Sequence, residues 1–89
     1  MALNFPNFSR SYDATGNRIR FWGHDDAIEV PFFLEVSALL GLCPETPHVE
    51  ARILAAFDGA RGRIIKAAGK VYSPRRRKGF YVLAAADFS

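Results

Sequence analysis

The hydrophobic period of this chain changes once along its length, and that change limits what it can fold into. From Arg18 to Leu34 apolar side chains fall on alternate positions, at Ile19 and Phe21 and then at Ile28, Val30, Phe32 and Leu34. From Val49 to Val71 they fall on every third or fourth: Val49, Ile53, Phe57, Ala60, Ile64, Ala68 and Val71. Neighbouring side chains of a strand point to opposite faces, whereas a helix returns to one face after about 3.6 residues. The first stretch therefore predicts half-buried strands and the second an amphipathic helix. The expected fold is α+β: an antiparallel sheet of four to five short strands, packed on one side by one long helix in the C-terminal half, with a short helical turn before it.

Turn chemistry places the joints. After an extended start at Leu3 to Phe5, Pro6 and Asn7 break the path, and Tyr12-Asp13 runs into Ala14-Thr15-Gly16-Asn17, a hairpin bend. In the next strand Ile19 and Phe21 share one face, and Arg18, Arg20 and Trp22 share the other. His24-Asp25-Asp26 reads as the following turn, and Ile28, Val30, Phe32 and Leu34 then point inward. Pro31 has no N–H for a ladder, so its strand is expected at an edge or bulged there. Glu35 to Leu42 predicts the helical turn, ended by Gly41, and Pro44 and Pro47 bound a loop. Thr46 is placed to cap the long helix, with Pro47 in its first position. Gly59, Gly62 and Gly69 each weaken that helix by about 1 kcal/mol relative to alanine, which leaves room for a bend or an early end, but the unbroken phase of the stripe keeps the expectation at one helix. Val71-Tyr72 and Phe80 to Ala85 read as two last extended pieces. Between them Arg75-Arg76-Arg77-Lys78 would form an exposed loop tip.

At 89 residues, 49% apolar and 13% aromatic, the chain has material for a core and reads as one compact domain over residues 1–89. Cys43 is the single cysteine, which rules out an internal disulfide, a Cys-x-x-Cys redox pair and a cysteine-based zinc cluster, and suits a reducing cytoplasm. The opening Met1 to Pro6 has no basic start, and no apolar run approaches a bilayer-spanning length, so neither export nor membrane spanning is expected. Charge is uneven. Residues 1–45 hold three bases against six acids, and residues 46–89 hold nine against three, giving +3 in all. The second half is a candidate for polyanions and the first for cations.

No catalytic motif is complete. His24, Asp25 and Asp26 are the residue types of a metal site or an acid–base pair, but neighbours on one turn cannot converge on an ion without help, and the other histidine, His48, falls at the predicted helix start. Cys43 has no nearby base and reads as a buried small side chain. No serine lies in a Gly-x-Ser-x-Gly elbow, and Gly59-Ala60-Arg61-Gly62 lacks the lysine and spacing of a phosphate loop. Ala55, Gly59 and Ile65 match the landmarks of a helix-turn-helix. Against it, Asp58 would take a buried position, and the apolar stripe runs through Gly59 without a phase shift.

Taken in order, Phe5-Pro6-Asn7, Tyr12-Asp13-Ala14, Arg20-Phe21-Trp22-Gly23, Phe57-Asp58 with Arg63-Ile64, and Ala86-Asp87-Phe88 resemble the short bacterial proteins of domain-of-unknown-function family 1488. The resemblance covers nearly the whole length. It implies a compact α+β protein of bacterial cytoplasm and brings no activity, cofactor or catalytic residue.

The residues themselves favour a binding module without enzymatic activity. Its basic face would comprise Arg61, Arg63, Lys66, Lys70, Arg75, Arg76, Arg77 and Lys78, and its partner would be anionic, nucleic acid or an acidic protein. The plainer reading of the run 75–78 is a solvated loop that guards a strand edge. A second hypothesis is a homo-oligomeric or protein-binding role, with Trp22, Phe33 or Tyr81 at the apolar centre of an interface. A small metal-dependent hydrolase built on His24, Asp25 or Asp26 ranks last, and no cofactor is expected.

Overall fold

Both hydrophobic periods appear in the computed structural model, which describes residues 3–6, 9–73 and 79–88. The elements follow in the order β1 (Leu3–Asn4), β2 (Arg10–Asp13), β3 (Arg18–Asp25), β4 (Ile28–Glu35), α1 (Val36–Leu42), α2 (Glu50–Gly59), α3 (Arg61–Val71) and β5 (Tyr81–Leu83). A closing 3₁₀ turn covers Ala85–Phe88.

β3 and β4 form the long central hairpin, in register from Arg18 opposite Glu35 to Asp25 opposite Ile28. β1 and β2 share the other edge of β3: Asn4 faces His24 and Arg10 faces Phe21. Phe5 turns inward, its ring packing 6.0 Å from Phe21 and 5.7 Å from Phe32. A Cβ on Gly23 would lie 2.8 Å from that ring and 2.9 Å from the Asn4 carbonyl oxygen, so this close approach requires glycine.

The alternation along β3 and β4 decides what is covered. Ile19, Phe21, Val30, Phe32 and Leu34, with Tyr81 and Leu83 of β5, face the helices and are at most 5% exposed. They meet Val36 and Leu39 of α1, Ile53 and Phe57 of α2, and Ile64 and Ala68 of α3. Phe21 stacks on Phe32 at 5.4 Å and takes the edge of Phe57 at 5.2 Å, and Phe32 stacks on Tyr81 at 5.4 Å. Each such pair adds roughly 0.5–1.5 kcal/mol beyond the area it buries.

Several expectations need correction. The long helix is two helices meeting at Ala60, whose N–H is shared between the carbonyls of Ala56 and Phe57 at 3.0 and 3.2 Å. A straight helix over residues 49–71 would run about 34 Å, whereas eight-residue strands reach about 26 Å. Breaking beside Gly59 keeps both halves on the sheet, and the stripe from Ile53 to Ala68 stays buried. One residue between helices is too short for the turn of a helix-turn-helix. The helix also starts late, at Glu50. Val49 is its cap, with no side-chain hydrogen bond and 57% exposure, so no burial draws the helix back to Thr46 and Pro47.

The last pieces do not form a hairpin. Val71 ends α3, and the Tyr72 N–H bonds back to Ala68 at 3.0 Å, so only Tyr81–Leu83 is extended. The far edge of β3 is already taken, so β5 joins β4, parallel to it, with Phe32–Leu34 opposite Tyr81–Leu83. The sheet is therefore mixed. β4 is an edge only before that pairing begins, which is where Pro31 sits. The β3–β4 turn is Asp26-Ala27, with Asp26 at φ 56, while His24 and Asp25 belong to β3. Ile28 lies on the inward face but is 43% exposed, while its register mate Asp25 is buried.

Candidate functional site

Arg63, Lys66 and Lys70 recur at steps of three and four along α3, which places them within roughly 60° of one another around its axis. Packing of Ile64, Ala67 and Ala68 into the core leaves this row exposed. With Ala67, Asp87 and Phe88 it lines a cleft of 210 Å³ between α3 and the closing turn. The Asp87 carboxylate accepts the Ala84 N–H at 2.8 Å. No ion pair among the described residues engages the three bases. Lys70, in the last turn, also answers the negative end of the helix dipole.

Arg61 does not join that row. It lies roughly 200° around the helix from Arg63, with its guanidinium 5.9 Å from the centre of the Phe57 ring. Burial draws it below the ordinary arginine value, Asp58 opposes that, and Arg10 adds to it. Beside it Arg10 and Asp58 form a two-pronged pair, both bonds 2.9 Å, that ties β2 to α2. Arg75, Arg76, Arg77 and Lys78 lie outside the described residues.

The His24-Asp25-Asp26 trio is divided. His24 and Asp25 point to opposite faces of β3, and Asp26 occupies the turn. Asp25, 3% exposed, accepts a hydrogen bond from the Tyr72 hydroxyl at 2.5 Å, which fastens the tip of the central hairpin to the end of α3. Among the described residues no three His, Cys, Asp or Glu side chains converge as metal ligands do. His48 is exposed ahead of α2, and Cys43 is half-buried at the end of α1.

The second constellation occupies the sheet face away from the helices. Register places Ser11, Asp13, Arg18, Arg20, Trp22, His24, Glu29, Pro31, Phe33, Glu35 and Val82 there. Arg18 lies 3.8 Å above the Phe33 ring and Arg20 5.5 Å from that of Trp22. Phe80, 50% exposed, sets its edge against Phe33 at 5.5 Å beside a depression of 410 Å³. Trp22 and Phe33 were legible from alternation. Phe80 was equally so, since Tyr81 and Leu83 inward put Phe80 and Val82 outward. Tyr81 does not belong to this face: at 4% exposure it is core.

A one-sided α+β sheet, with a cationic helix row on one flank and aromatic side chains on the face away from the helices, defines a class of small α+β folds and names no reaction. Its family is plain from comparison: residues 3–83 match the family described as a protein of unknown function (DUF1488), and the chain belongs to it. A crystal structure of a DUF1488 protein of unknown function from Shewanella loihica PV-4 superposes with a TM-score of 0.76 at 16% identity, over 91% of this chain and 90% of that one. That likeness shows the fold. No curated protein matches the chain. No described helix is long and apolar enough to cross a membrane.

Proposed function

We propose that the protein is a non-enzymatic binding module that holds an anionic partner, with nucleic-acid phosphate the leading chemistry, against the exposed row of α3. The observation that carries this reading is the alignment of Arg63, Lys66 and Lys70 along one cleft with no carboxylate paired to them among the described residues. Three cations at this spacing repel one another, and a phosphate chain relieves that repulsion while releasing its own counterions. Arg63 offers a forked contact to phosphate, and the two lysines act as point charges. Arg75 to Lys78 belong to the proposal on sequence grounds.

Anisotropy with a labelled duplex and a labelled single strand, titrated between 25 and 200 mM salt, tests it. Three duplex phosphate contacts predict that log affinity falls against log salt with a slope of about −2.7. The variant Arg63→Ala/Lys66→Ala/Lys70→Ala should lose that slope and bind more weakly on every sequence. No binding at the lowest salt overturns the proposal.

A further inference from the structure

We propose that the open face of the sheet is a homodimer interface, formed by a twofold axis that runs along the strands midway between β3 and β4. The argument comes from register. Cross-strand neighbours on this face are Arg18 with Glu35, Arg20 with Phe33, Trp22 with Pro31, and His24 with Glu29. Such an axis lays each β3 residue over the second copy's β4 residue that is its own register mate. Arg18 then meets the partner's Glu35, and His24 meets the partner's Glu29, two symmetry-related pairs at each end. Between them Arg20 and Trp22 cover the partner's Phe33 and Pro31. The result is an aromatic centre with polar ends, charge-matched where Arg18 meets Glu35 and hydrogen-bond-capable where His24 meets Glu29, the anatomy of a specific interface. It is also self-complementary, as twofold packing requires.

Apolar exposure says that the face needs a cover. Among the described residues the helices pack on the other side of the sheet. Here Phe80 and Val82 are 50% and 39% exposed, next to half-buried Trp22, Pro31 and Phe33. Two sheets pack face to face at about 10 Å, a distance that side chains of this size fill.

Charge selects the occupant. Among the described residues two arginines, Arg18 and Arg20, stand against three carboxylates, Asp13, Glu29 and Glu35, with Arg18 paired to Asp13 at 3.0 Å, so these residues together do not attract a polyanion. Both arginines already lie over the rings of Phe33 and Trp22, where a stacked base would have to go. A second copy brings its own acids to these bases. It would leave the α3 rows on the outer flanks, so the inference is independent of the proposed anion binding.

Sedimentation equilibrium of the full chain from 1 to 200 μM is the first measurement, with a species at twice 9.9 kDa expected. A charge-swap pair then reads the facing arrangement. Glu29→Lys/Glu35→Lys makes the β4 row basic, and Arg18→Glu/His24→Glu makes the β3 row acidic. Each alone should dimerise about tenfold or more weakly than the parent, since like charges then face each other. Their equimolar mixture should form a heterodimer near parental affinity, because every opposed pair is again complementary. Circular dichroism melts confirm that both variants are folded, and the parental measurement stands whatever they show. A monomer across the whole range overturns the inference. So do variants that dimerise undiminished, or a mixture that fails to associate. Oligonucleotide binding by a monomer, abolished by Trp22→Ala, would give the face to stacked bases and overturn it equally.

Discussion

The two faces of this sheet are made by the same strands and differ in nearly everything else. On the helix side Phe21 and Phe32 stack under Phe57 at 1% exposure or less, and the polar residue buried there, Asp25, is bonded to Tyr72. One residue along, Arg20, Trp22 and Phe33 stand on the other side with rings capped by guanidinium groups instead of by a layer of chain. Stability therefore resides on one side, and the other is free to carry recognition without endangering the fold. In small one-sided sheets, the uncovered face and the outer flank of the covering helices are the surfaces on which chemistry can change at least cost.

The sharpest way to break this contrast is to delete one ring from each face. Phe21→Ala should cost about 3–5 kcal/mol, since it empties the centre of the aromatic stack. Phe33→Ala, measured by denaturant unfolding at sub-micromolar concentration, should cost about 1–2 kcal/mol, the worth of a half-buried ring and its cation–π contact. Equal losses would mean that the faces do not divide the work in this way.

The link between hairpin tip and helix end comes next. Tyr72→Phe keeps the ring, packed 5.6 Å from Tyr81, and removes the hydroxyl that serves Asp25. Leaving that buried carboxylate short of a donor should cost about 1–3 kcal/mol by urea unfolding. A neutral result would show that Asp25 does not depend on this bond.

The smallest effect belongs to the open side. The Gly16 N–H, first, and the Arg18 guanidinium hold the Asp13 carboxyl below its ordinary value of 3.8. A carboxyl depressed on folding stabilises the fold above its unfolded value, and that contribution is lost as pH falls through the lower folded value. The unfolding midpoint of the parent should therefore exceed that of Asp13→Asn at neutral pH, and the two should converge below about pH 4. A gap that persists at pH 2 would assign the turn's stability to something other than this charge.

The strands of the central hairpin were readable because their signals are local. Ile19 and Phe21 against Arg18 and Arg20 declare the faces, and Ala14 to Asn17 declare the turn. The apolar stripe of α2 and α3 was equally legible, and residues Ile53 to Ala68 on it are buried as their spacing requires. Its break at Ala60 was not, because the glycines announce weakness without saying where the sheet below will demand a bend. The parallel pairing of β5 is also beyond local reading, since it depends on which edge the other strands leave vacant. Of the candidate site, the helical spacing of Arg63, Lys66 and Lys70 was visible, but the loss of Arg61 to the other flank followed from where α3 buries its apolar side. The bond from Tyr72 to Asp25 spans 47 positions and has no signature in either neighbourhood.

The short parallel strand has a consequence for how the molecule opens. β5 pairs with its neighbour over Tyr81–Leu83 and returns to it only after three helices, so closing this pairing spans a long loop and is expected late in folding. When β5 lifts away, Phe32-Phe33-Leu34 lose that neighbour and, continuous with Val30-Pro31 before them, become a template on which other chains could grow. Pro31 sits in that stretch and has no amide hydrogen to offer, so the same ring that shortens the native ladder also interrupts any ladder that would replace it.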